Sequence, residues 1–147
     1  GVADALYAEA TKRSDVALQR PFHTELPLVL RGEYEEGLQG VYGVDALTNI
    51  ARGADIERAT LTPVCIGHRL DRDRHAELVF VVFDTAEFQQ MRRDLMPMFP
   101  EHAGTGIYDP DTLTPVLPIA ASDADLTHWW PLTIDRATDC LAPLRAE

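Results

Sequence analysis

Residues 60–64 read Thr-Leu-Thr-Pro-Val, and residues 112–116 read the same five letters, 52 positions further on. At that offset Asp71 falls on Asp123 and Asp73 on Asp125, and one deletion brings Asp84 onto Asp135. Each stretch runs through an extended apolar segment, an Asp-rich turn, a second apolar segment and an Asp placed to open a helix. A strand–turn–strand–helix unit of this size cannot bury its own apolar side. Repeated copies must therefore pack together.

In the first copy, 60–96, Leu61 to Leu70 is expected as one strand and Glu77 to Phe83 as the next. Leu78 to Phe83 is β-branched and aromatic, as a buried strand requires. Asp71, Arg72 and Asp73 lie in the solvated turn between them. Asp84 then caps a helix, with Glu87 three residues on, and Phe88, Met91 and Leu95 give that helix an apolar face ended by Pro97. The second copy, 112–145, predicts a strand from Leu113 to Ala120, which Pro115 and Pro118 confine to an edge or bulge. A further strand is expected from Trp129 to Ile134, and a helix from Asp135 to about Leu144. A weaker copy over 24–53 has an acidic turn at Glu33, Glu35 and Glu36 and a helix from Val44 to Arg52, stopped by Gly53. Val2 to Gln19 reads as an additional helix. The fold expected is one α+β domain, 1–147, with a mainly antiparallel sheet of about six strands and helices packed on one face.

Apolar residues make up 46% of the chain, so a packed core is expected, and no apolar run is long enough to cross a bilayer. Gly1 to Glu9 lacks the basic-then-apolar pattern of a secretory signal, so a cytoplasmic protein is expected. The formal net charge of −11 disfavours nucleic acid and anionic membrane surfaces. Cationic molecules and basic protein surfaces remain acceptable partners. Cys65 and Cys140 form no metal-type spacing, and their apolar neighbours suggest buried free thiols, with a single disulfide as the alternative.

Chemistry-bearing residues concentrate in 94–135, which holds seven carboxylates and no lysine or arginine. Tyr108, Asp109 and Asp111 occupy a Gly/Pro-bounded loop with His102 nearby, and Asp125 and His128 are spaced for one helix face. Carboxylates with imidazoles suit a divalent metal or an acid–base pair, but Asp109 and Asp111 lack the glycine and terminal glutamate of an EF-hand calcium loop. No metal or other cofactor is expected. Trp129 and Trp130 beside His128 suit a cationic ligand through cation–π and charge attraction, or an oligomer interface. A buried glutamate among Glu33, Glu35 and Glu36 would serve as a general base or as counter-charge to a cation. His68 and His75 flank an arginine-bearing turn.

The strand–helix layout resembles that of the two-histidine phosphoesterases. Glu25 stands where the hydroxyl residue of their first His-x-Thr/Ser belongs, however, and Asp stands where their second histidine belongs, so their chemistry does not carry over. No phosphate loop, dinucleotide fingerprint, zinc-protease or serine-hydrolase motif occurs. The function expected is binding of a cationic small molecule or basic protein surface by a self-associating protein. One alternative is a hydrolase- or isomerase-type enzyme using Asp109, Asp111 and His102 or His128, with or without a metal. The other is a structural subunit of a homo-oligomer, with the tryptophans at its interface.

Overall fold

The computed structural model describes residues 1–22, 25–39, 42–98, 110–111, 113–126, 129 and 133–144. At its centre is a long hairpin. β1 (Thr62–Asp71) and β2 (Ala76–Asp84) pair antiparallel from Thr62↔Asp84 to Asp71↔Ala76. Arg72 to His75 make the turn. The Asp71 carboxylate accepts from the main-chain N–H groups of Asp73 and Arg74, each at 3.1 Å, and His75 takes a left-handed φ of 49°. Aspartate serves such turns well because its short side chain caps the backbone donors that the turn exposes.

β3 (Val116–Ala121) adds to the outer edge of β2 and β4 (Cys140–Pro143) to the outer edge of β1, giving the antiparallel order β3-β2-β1-β4. Pro118 therefore sits in an edge strand, where its missing N–H is tolerated. Five α-helices complete the described architecture: α1 (Val2–Arg13), the single turn α2 (Arg31–Glu33), α3 (Val44–Gly53), α4 (Ala86–Leu95) and α5 (Arg136–Asp139). A wide helical turn, Tyr34–Leu38, continues α2.

The fold is α+β, but four strands are found among the described residues, where about six were expected. The 24–53 stretch supplies helices α2 and α3 and no strand among its described residues, because its acidic segment coils and Glu33 turns inward. Trp129 lies in a short helical turn, and 133–135 belong to no element. The last helix stops at Asp139, and the chain becomes the strand β4. β3 pairs with β2 of the first copy, and no hairpin partner of its own is found among the described residues. The repeated unit is thus not confirmed among the described residues. At the start of α4 the cap is Thr85, one residue beyond the expected Asp84: its hydroxyl accepts from Phe88 N–H at 3.5 Å.

Alternation along β2 divides the sheet into two sides. Ala76, Leu78, Phe80 and Val82 join Cys65, Val116, Ala121, Leu126 and Trp129 in the main apolar core. This is the core face. Gly67, opposite Phe80, is required there, because a Cβ at that position would lie 2.1 Å from the Phe80 ring. On the other side Val79 packs with Ala120, Leu18, Tyr7, Ala10 and Ile66, bringing α1 against the sheet. The strap after α1 holds this arrangement. Gln19 exchanges two main-chain hydrogen bonds with Ala121 (2.8 and 3.0 Å), and Tyr7 Oη donates to the Leu18 carbonyl at 3.1 Å.

A second cluster is mainly helical. Met91 and Leu95 of α4 meet Leu38, with Leu47 and Ile50 of α3 packed against them. At its edge the fully buried Arg92 donates to both Glu33 oxygens (2.8 and 3.2 Å), to the Leu28 carbonyl (2.7 Å) and to the Pro110 carbonyl (3.2 Å). Glu33 thus acts as counter-charge to a buried cation supplied by the chain itself. Such a pair persists because its charges and hydrogen bonds are satisfied together.

Cys65 and Cys140 are joined in a disulfide, which corrects the expectation of free thiols. The pairing of β1 with β4 sets their Cα atoms 5.7 Å apart, inside the span of a cystine. The bridge closes a loop of 75 residues, and the lost chain entropy of the unfolded state corresponds to about 4 kcal/mol.

Candidate functional site

The side of the sheet opposite the core face is incompletely filled. α1 crosses it with Leu6, Glu9, Ala10 and Arg13, positions that share one side of a helix by their spacing. Only one of these four is a large apolar side chain. Ala10 packs against the Leu18, Val79 and Ala120 cluster but brings little volume, and Glu9 and Arg13 pair with each other at 2.8 Å near the rim. A cavity of about 460 Å³ is left between helix and sheet. That volume lies within the usual range for small-molecule sites.

The sheet contributes Ile66 and His68 from β1 and Glu77, Val79 and Val81 from β2. Two strand irregularities form the side walls. Between the pairs Val79↔Ala120 and Phe80↔Pro118, β3 carries one extra residue, Ile119; between Ile66↔Ala142 and Gly67↔Cys140, β4 carries the extra residue Leu141. Both extra residues line the cavity. A bulge re-aims side chains and bends its strand, which suits a recess at a sheet edge.

The polar groups gather around Glu77. Its position is diagonal to His68 across the β1–β2 ladder, since His68 pairs with Val79. His68 Nε2 lies 2.9 Å from Glu77 Oε1, and Ser14 Oγ donates to Glu77 Oε2 at 2.6 Å. The Glu77 main chain is also fixed: its N–H donates to Ser122 Oγ and its carbonyl accepts from Ser122 N–H, each at 2.9 Å. The Glu77 side chain is 9% exposed and that of His68 is 23% exposed. At the rim, the Arg13 hydrogen bond holds the Glu9 carboxyl below its ordinary value.

The residues singled out from sequence are placed elsewhere. Trp129 is buried in the core face. Asp111 is exposed and paired with Arg93 at 2.9 Å, and Asp125 lies exposed in a turn where its N–H donates to Asp123 Oδ1 at 3.0 Å. None of these three lines the cavity. His102, Tyr108, Asp109, His128 and Trp130 lie outside the described residues. Sequence reasoning missed His68 and Glu77. The available signal was the parity of β2: Glu77 shares its side of the strand with Val79 and Val81, an acid on an otherwise apolar, inward-facing row.

Among the described residues, no three His, Cys, Asp or Glu side chains gather closely enough to hold a metal ion, and no helix is long and apolar enough to cross a membrane. Fold and site together define an α+β protein with an apolar recess between one helix and a four-stranded sheet. Comparison with protein families, with characterised proteins and with solved structures finds no match for this chain.

Proposed function

We propose that the protein binds a small, mainly apolar molecule bearing one amine or other hydrogen-bond donor, held in the cavity between α1 and the sheet. The observation that carries this reading is a buried carboxylate at one end of an apolar recess of ligand size. Ser14 and His68 each occupy one position on a Glu77 oxygen. A carboxylate oxygen accepts more than one hydrogen bond, so Glu77 retains capacity for a ligand donor. The apolar walls supply the affinity, and the carboxylate selects for a cation or donor over an anion. The negative net charge acts in the same direction at long range. The disulfide favours an oxidising site of action over a reducing cytoplasm.

A direct test is titration with N-phenyl-1-naphthylamine, a neutral aromatic amine that fluoresces in apolar surroundings. Saturable binding of one dye per chain is expected. Ala142→Trp, which places an indole at the cavity wall, should abolish it, and Arg58→Ala, at an exposed position that does not line the cavity, should leave it unchanged. Dye binding that Ala142→Trp leaves intact in a folded variant overturns the assignment.

A further inference from the structure

We infer that His68 is a general base for proton transfer on the molecule held in this cavity, with Glu77 as the residue that positions it. The inference rests on the binding reading above and adds a chemical step to it. An ionised carboxylate accepts hydrogen bonds and cannot donate them. With Glu77 Oε1 2.9 Å from Nε2, a neutral His68 ring therefore carries its proton on Nε2 and its lone pair on Nδ1. Nδ1 has no partner among the described residues.

The support around Glu77 is deeper than an isolated surface pair would need. Ser14, from the end of α1, holds the second carboxylate oxygen, and Ser122, beyond β3, clasps the main chain of the same residue. Two other segments of the chain thus fix Glu77, one at its carboxylate and one at its main chain, and the remaining contact of the carboxylate is the imidazole. A carboxylate that orients a histidine selects its tautomer and stabilises the imidazolium formed when the other nitrogen takes a proton. The ring itself is more open than its partner and lines a cavity whose other walls are mainly apolar. The charged groups sharing the cavity are Glu77 from β2 and the mutually paired Glu9 and Arg13 from α1. The chemistry that fits is removal of a proton from an acidic C–H of a mainly apolar substrate, leading to isomerisation or elimination. Nothing in this step requires a nucleophile from the protein.

The probe is 5-nitrobenzisoxazole, a small neutral heteroaromatic. The base takes the proton from C3, the C–H electron pair becomes part of a nitrile, the N–O bond breaks and a coloured cyanophenolate leaves. The imidazolium then returns its proton to water. For the full chain with its disulfide intact, ring opening is expected to exceed that of His68→Gln by about 100-fold or more, the usual contribution of a positioned base. Glu77→Gln should lower kcat with little change in KM for this neutral probe. ¹⁵N spectra of the imidazole should show the Nε2–H tautomer in the parent protein and a mixture in Glu77→Gln, a change that a merely structural role would not produce.

N-phenyl-1-naphthylamine titration of the same samples separates the two readings. Saturable dye binding with equal ring-opening rates in the parent protein and His68→Gln overturns the catalytic role and leaves the binding reading standing. An Nδ1–H tautomer in the parent protein also overturns it, through a measurement that needs no variant to fold. Absence of both dye binding and ring opening overturns both readings.

Discussion

Along β2, residues 76–82 are all buried, yet the two sides of that strand have different surroundings. Leu78, Phe80 and Val82 meet leucine, valine and tryptophan side chains and form the core. Glu77, Val79 and Val81 face one side of α1, where Leu6 is the one large apolar group beside an alanine and an ion pair, and a cavity results. Burial is thus common to both sides. Whether it yields packing or space is decided by the volume brought by the opposing element.

The largest expected effect lies on the core face. Phe80→Ala removes a fully buried ring and should lower unfolding free energy by about 3–5 kcal/mol, read as a fall in the urea midpoint. Dye binding at temperatures where the variant stays folded should persist, since Phe80 does not line the cavity. Cys140→Ser comes next. Loss of the bridge should cost about 2–4 kcal/mol in thermal unfolding, and reductant should bring the parent protein to the same transition. Because Leu141 adjoins Cys140, dye affinity should fall in parallel.

The comparison sharpens most with one kind of substitution made on both sides. Ala121→Leu enlarges a fully buried core residue and should destabilise by about 1–3 kcal/mol through overpacking. Ala10→Leu enters the cavity and should stabilise by about 0.5–1 kcal/mol as it fills vacant space, while weakening dye binding. Equal signs for these two variants in chemical denaturation would mean that the sides do not differ as described.

Much of the hairpin and of the helix after it was legible in the chain. The β-branched run from Leu78 to Phe83, the Asp71 turn, and the apolar spacing of Phe88, Met91 and Leu95 are local signals, and local physics decides them. Pro118 likewise announced an edge. The shared five-letter segment misled, and its chemistry explains why. Pro63 lies at the entry to β1 and Pro115 just precedes β3, so the likeness reports how these strands begin. It does not extend to a common unit.

Other features depended on contacts that span the chain. Glu33 looks like a turn residue until Arg92, 59 positions away, neutralises it in the interior. The two cysteines look like small apolar residues until β4 pairs with β1 and brings them together. The His68–Glu77 pair depends on which residues face each other across the hairpin: His68 pairs with Val79 and Leu70 with Glu77, which makes Glu77 the diagonal neighbour of His68.

Ile119 and Leu141 are surplus to the hydrogen-bonding ladder, and each has no partner residue opposite it in its neighbouring strand. Exchanging their side chains leaves the main-chain ladder in place, although both stand at the walls of the recess and Ile119 is itself buried. A lineage carrying this architecture could drift from one guest molecule to another by altering two unpaired positions, leaving the rest of the sheet as it is.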